Sequence, residues 1–366
     1  MPCCEDVATA VAEQGAPTRN LDLLRAVAVL LVACDHLFQN GLSQSTFPPR
    51  YLLAMGRLGV MVFFVHTSLV LMLSMDRMTI GRSQLFRSFY IRRLFRIYPL
   101  SIFTVVSVLV FSIPHLPRET FHRILPFELF SNFALIQNLT RTGDVIGPLW
   151  SLPWEVQMYL ALPFIFVAIR SEKVTAVMIA TALVVTADAV GVGSGHRAFR
   201  VLDYMPCFMG GVLAYILLRK TRLRVPGSLW PAALVLLIII YGISGIGWPI
   251  RKVYYPEWSL CAVLGFIIPY FGDLTNPLLI WPAHQIAKYS YGIYLFHVPL
   301  IWLAFNRLAG IGPIASCILF VTGTSALAVF GYHFIEAPMI RLGKRLAIDL
   351  NFTRETPPFR ASAQEV

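Results

Sequence analysis

The chain has 366 residues, 57% of them hydrophobic and only 13% charged, with a formal net charge of +11. An ordinary soluble domain is about 45–50% apolar and about 25% charged, so composition excludes a soluble globular protein and points to a polytopic membrane protein. Anchoring to the anionic head groups of membrane lipids accounts for the positive charge, and no nucleic-acid partner is needed to explain it.

The N-terminal stretch "MPCCEDVATAVAEQGAPTRN" has acidic residues and no basic start ahead of an apolar run, unlike a cleaved signal peptide. Residues 1–18 therefore read as a cytosolic tail. A bilayer-crossing helix needs about 20 residues, and apolar stretches of that kind fall near 21–38, 58–75, 100–114, 148–169, 174–191, 203–218, 228–247, 257–272, 289–306 and 313–335. The expected fold is all-α, with about ten transmembrane helices and both termini cytoplasmic. That orientation places most of the 30 Lys and Arg on the inner side, as the positive-inside bias requires. The segment 126–147 is too polar to span and reads as a surface or re-entrant piece. Residues 19–347 form one membrane domain, and the Pro-, Thr- and Ser-rich tail 348–366 is expected to be disordered. Four of the six cysteines lie in apolar runs as small buried hydrophobes, and the sequence has no Cys/His metal spacing.

The first helix, "LDLLRAVAVLLVACDHL", carries Arg25, Asp35 and His36. Arg25 and His36 are 11 positions apart, nearly three whole turns, so they share one face about 16 Å apart along the axis. Arg25 alone reads equally well as a side chain snorkelling to the inner interface. His36 with Asp35 favours function, because ionisable groups inside a membrane are costly and face a bundle interior or a wet cavity. A histidine there suits a general base.

The loop "DRMTIGRSQLFRSFYIRRLFRIYP" ends as an amphipathic helix that Pro99 is expected to stop. Arg93 and Arg96 share a face at i, i+3, with Arg92 beside them, and two guanidinium forks suit a phosphate ligand. On its own, this cluster reads first as an anchor on lipid phosphate. In "GPLWSLPWEVQMYLALPF", Ser151, Glu155 and Tyr159 recur at i, i+4, i+8 on one face; Glu155 is as well suited to neutralising an arginine as to catalysis. In "YSYGIYLFHVPLIW", Ser290, Tyr294 and His297 form another stripe, which a histidine bonded between helices explains as well as chemistry does. His333 and Glu336 lie a turn apart before Pro338, too few ligands for a metal.

Taken in order, these blocks resemble the acyltransferase-3 family of integral membrane acyltransferases, which modify glycans, lipids and some secondary metabolites. The resemblance runs from about residue 19 to about 345. The family's Arg, ten residues, His motif falls on Arg25 and His36, and its Arg-x-x-Arg motif on Arg93 and Arg96. "LGVMVFFVHTSLVL", "GPLWSLPWEVQMYL", "YSYGIYLFHVP" and "FIEAPM" are similar to its other blocks, taking in Glu155, Tyr294, His297 and Glu336. Two features depart from the family. A Ser-Gly pair common after the paired phenylalanines of the second helix is replaced by His66, Thr67 and Ser68, removing a point of close approach. The C-terminal hydrolase-like domain of many relatives is also not seen, so an acceptor is expected to be acylated directly by the membrane domain.

The resemblance implies a bacterial cytoplasmic (inner) membrane enzyme whose donor is acyl-CoA, acetyl-CoA above all, with no metal. Arg93, Arg96 and Arg92 would meet the donor's phosphates, and the pantetheine arm would follow the seam marked by Arg25. His36, tuned by Asp35 or Glu155, would act as base on a hydroxyl of a glycan, a lipid-linked sugar or a glycosylated small molecule. Tyr159, Tyr294, His297 and Glu336 would line the polar seam. A transporter or flippase using the same seam without chemistry is the alternative, and an acyl-CoA-binding sensor a third reading.

Overall fold

The computed structural model describes residues 18–42, 52–78, 80–117, 119–170, 203–221, 224–246 and 255–352, together with isolated helical positions between 175 and 186. Within these residues the fold is helical, and its one extended contact is a parallel bridge between Val225 and Phe271. The helices are α1 (Thr18–Leu37), α2 (Leu52–Asp76), α3 (Arg82–Phe111), α4 (Pro126–Ala134), α5 (Gln137–Thr140), α6 (Leu152–Arg170), α7 (Met205–Leu218), α8 (Trp230–Ile246), α9 (Tyr255–Ile267), α10 (Pro277–Ile301), α11 (Pro313–Phe330) and α12 (Ala337–Phe352). Wide π-helical turns extend α1 over Phe38–Leu42 and α10 over Trp302–Arg307, and join α11 to α12 over Gly331–Glu336.

The bundle is apolar outside, and its largely apolar core encloses a few buried polar groups such as Asp35, His297 and Glu336. Val235, Leu236, Ile239, Ile240 and Ile243 of α8 and Ile314, Ile318 and Val321 of α11 face outward and exposed. A soluble protein rarely presents so continuous an apolar surface, and lipid is its natural solvent. Among the described residues, four stretches are long and apolar enough to cross a membrane: Met55–Asp76, Arg82–Phe111, Gly147–Arg170 and Pro313–Asp349. The helices α1 and α10 fall outside that set because of the polar groups they carry, and they pack against each other. Helix α1 packs along both α2 and α10, while α2 packs on α7, α7 on α9, α10 on α11, and α3 on α12. The close contact of α1 with α2 depends on Gly59, where a Cβ would run into the Ala28 carbonyl and the Val32 side chain.

Several expected boundaries move. Pro99 does not end a helix: α3 runs unbroken from Arg82 to Phe111. Proline removes only its own backbone donor, the one that would reach the Phe95 carbonyl four residues back, and a single lost bond is tolerated in a packed membrane helix; nearby, the Tyr291 hydroxyl of α10 donates to the Ile97 carbonyl at 2.8 Å, and Ser101 Oγ, on the same helix, donates to the Tyr98 carbonyl at 3.1 Å. Helix α10 begins at Pro277, well before the expected span 289–306, and α12 continues past Ile348 into the expected tail. The segment 126–147 is ordered by α4 and α5, with the Asn132 amide donating to the Gly143 carbonyl and accepting from Val145 N–H, both at 2.9 Å. Residues 1–17 and 353–366 of the expected tails, and most of the expected span 174–191, lie outside the described residues.

The second helix keeps its close approach without the missing glycine. Ser68 Oγ donates to the Phe208 carbonyl of α7 at 2.6 Å, and a Cβ on Gly211 of α7 would strike both that hydroxyl and the Val65 carbonyl. The glycine sits on the facing helix instead. His66 and Thr67 thereby turn toward the polar interior.

Candidate active site

Arg25 does not snorkel. Its Nε donates to Ser290 Oγ of α10 at 2.6 Å, and the Ser290 hydroxyl in turn donates to the Ala287 carbonyl at 2.8 Å. The guanidinium forms the waist between two small cavities, and Thr67, Glu155 and Tyr291 line both with it. The first, about 60 Å³, is closed by Phe63, Phe64, Ser151 and Tyr294. The second, about 70 Å³, is walled by His66, Arg93, Arg96 and Tyr159. Each holds a few water-sized groups, enough for the end of an acyl thioester but not for a nucleotide.

The second cavity is electrostatically dense. Arg93 hydrogen-bonds the Tyr159 hydroxyl, which donates to Glu155 Oε1, so the stripe on α6 is a relay from guanidinium to carboxylate. Arg96 is ion-paired with Glu336, which is 1% exposed and whose second carboxylate oxygen has no partner among the described residues. Of the three arginines expected to meet phosphate, Arg93 and Arg96 line the cavity, while Arg92 is on neither wall and its buried Nε is unbonded among the described residues. Arg96 is already committed to a carboxylate, which its sequence position did not reveal.

His36 lies at the other end of the seam. Its Nδ1 is 2.9 Å from His297 Nε2, with ring centroids 5.1 Å apart and planes inclined by 30°. His297 Nδ1 is 3.2 Å from the Ile293 carbonyl. Arg25 meets Ser290 and His36 meets His297, so α1 and α10 run parallel. Eleven residues on α1 rise about 16 Å and seven on α10 about 10 Å, and the length of the Arg25 side chain makes up the difference. Tyr294, a turn before His297, donates to the Pro148 carbonyl at 2.8 Å and accepts from Ser151 Oγ at 2.7 Å. That network ties α10 to the turn leading into α6.

Asp35 is not brought to His36. Its carboxylate accepts from the Gly56 N–H and the Gln39 side chain, and a Cβ on Gly56 would strike it. One position along a helix is a rotation of about 100°, which points Asp35 at the start of α2 while His36 faces α10. Glu155 sits at the waist with Arg25, in neither ring's hydrogen-bond shell.

A family model described as an acyltransferase domain matches residues 18–333. The chain belongs to the acyltransferase-3 family. It is an acyltransferase, and with its apolar helices an integral membrane protein. The peptidoglycan O-acetyltransferase OatA of Listeria monocytogenes is 26% identical over 88% of this chain and 56% of its own length. The O-acetyltransferase OatA of Staphylococcus aureus (strain NCTC 8325) is 26% identical over 88% of this chain and 57% of its own. Nodulation protein 10 of Rhizobium leguminosarum bv. viciae is 26% identical over 78% of this chain and 82% of its own. The chain thus spans little more than half the length of the two O-acetyltransferases. No solved structure matches it.

Two cavity residues had no role assigned from sequence. Tyr291 lies next to the Ser290 stripe and lines both cavities, and His66 stands where the family's small residues are expected and faces Arg93 and Arg96. The replacement of a small residue by histidine was the available signal for the second. Nothing local marked the first.

Proposed function

We propose that this acyltransferase moves an acetyl group from acetyl-CoA to a hydroxyl of a glycan or glycosylated acceptor. The observation that carries the reading is the two-ended seam on α1: Arg25 among Arg93 and Arg96 at one end, and a half-buried histidine bonded to His297 at the other. The names of the relatives support acetyl as the group and oxygen as its destination.

The donor enters from the cytosol, its phosphates drawn to Arg93 and to Arg96 once Glu336 shares that charge, and with Arg92 at the margin. Guanidinium forks suit phosphate. The thioester passes the Arg25 waist. At the far end, His36 takes the proton of the acceptor hydroxyl as its oxygen bonds the acyl carbon; the carbon–sulfur bond breaks, and the CoA thiolate leaves and is protonated. The parallel course of α1 and α10 fits their places as first and ninth of ten spans, with both termini cytosolic and the enzyme in the inner membrane. Peptidoglycan-like glycans, lipid-linked sugars and glycosylated small molecules all present the required hydroxyl.

The test is titration of purified protein in detergent with acetyl-CoA. Wild type should bind, and Arg93→Ala should weaken binding about tenfold or more, since a lost charge-assisted hydrogen bond costs about 1.5–3 kcal/mol. Absence of binding by wild type, or solute movement across vesicles with no CoA released, would replace the enzyme reading of this seam with a transporter.

A further inference from the structure

We propose that His297 is a positioning residue that fixes the tautomer of His36 and shares the proton His36 takes up, an imidazole pair in place of the usual imidazole and carboxylate. The inference rests on the acetyltransferase reading above and deepens it. It follows from donor and acceptor bookkeeping. A backbone carbonyl only accepts, so the contact of His297 Nδ1 with the Ile293 carbonyl at 3.2 Å puts a hydrogen on that nitrogen. A neutral His297 then offers Nε2 as an acceptor. His36 Nδ1, 2.9 Å away, must supply the donor. His36 Nε2 is left as an unprotonated lone pair, the form a general base needs.

Burial assigns the two roles. His297 is 0% exposed, whereas His36 is half-buried, so an acceptor hydroxyl can reach only His36. When His36 Nε2 gains the acceptor's proton, the ring becomes a cation whose Nδ1–H points at a neutral lone pair. That hydrogen bond becomes charge-assisted, and such bonds are roughly twice as strong as neutral ones. The proton on Nδ1 can be held by either ring. Among the described residues no carboxylate meets His36: Asp35 is held by Gly56 and Gln39, and Glu155 by Tyr159.

The experiment measures CoA thiol release from acetyl-CoA, with water as acyl acceptor, by wild type, His36→Ala, His297→Leu and His297→Gln, each checked for an unchanged melting curve. A glutamine carboxamide oxygen falls near the position of Nε2 and accepts from His36 Nδ1–H; leucine fills the space and accepts nothing. The expected result is a kcat about 100-fold or more lower for His297→Leu, within the 10²–10⁴ that general-base catalysis is worth, an unchanged KM for acetyl-CoA, and substantial rescue by His297→Gln. If His36→Ala is inactive while His297→Leu keeps its kcat, or His297→Gln is no better than His297→Leu, the pair is overturned and the base reading stands. If His36→Ala turns over normally, both fall.

Discussion

Replacing Arg96 separates a structural ion pair from a ligand site. Glu336 is 1% exposed and Arg96 20%, so removing the guanidinium strands a carboxylate in the bundle with neither oxygen satisfied by the groups described around it. Breaking one side of a buried pair costs about 3–5 kcal/mol, whereas replacing both partners is often close to neutral. Arg96→Gln should therefore lower the apparent melting temperature in detergent by on the order of 10 °C, taking roughly 2–4 °C per kcal/mol for a large domain. Adding Glu336→Gln in the same chain should restore most of the loss, because two amides can bond each other across the same gap. Acetyl-CoA affinity should stay depressed in the double variant, since the charge proposed to meet the donor's phosphates is gone. A single variant that melts like wild type would refute the argument that Glu336 depends on Arg96, and a double variant with full donor affinity would take Arg96 out of the donor site.

Asp144 lies in the loop between α5 and α6, outside the spanning helices, and burial raises its carboxyl from the usual range to about 6. The folded loop thus favours the protonated form: its contribution to stability is complete below pH about 4 and is lost as pH rises through about 6. Asp144→Asn should raise stability at pH 7.5 by about 3 kcal/mol, roughly two pKa units at about 1.4 kcal/mol each, and by well under about 1 kcal/mol at pH 4, which melting curves at the two values will show. Gly211→Val should destabilise strongly, because its Cβ would strike the Ser68 hydroxyl and the Val65 carbonyl; overpacking costs typically about 1–3 kcal/mol, and an unchanged melting temperature would mean that α2 and α7 are not in contact there.

Helical periodicity made the site residues legible. The 11-residue interval from Arg25 to His36 and the spacing of Ser290, Tyr294 and His297 each put polar groups on one face, and both faces meet in the bundle. What the spacing did not contain was the partner. His36 lies beside Asp35 in sequence, yet its hydrogen bond crosses 261 positions to His297, because helix packing turns neighbouring residues to different sides. Arg96 looked free for a phosphate because Glu336 is 240 positions away. Pro99 was read as a stop from local backbone chemistry, whereas a helix packed against its neighbours in a membrane carries it through at the loss of one backbone bond. The loss of the family's glycine in α2 was visible, but its compensation by Gly211 on α7 needed the packing of the two helices.

The proposed seam on α1 would join a donor site to a base. Single-turnover release of CoA from bound acetyl-CoA, comparing wild type with His36→Ala, tests it most directly. His36→Ala should bind acetyl-CoA as wild type does and release CoA at least about 100-fold more slowly. Wild-type release by His36→Ala would contradict it.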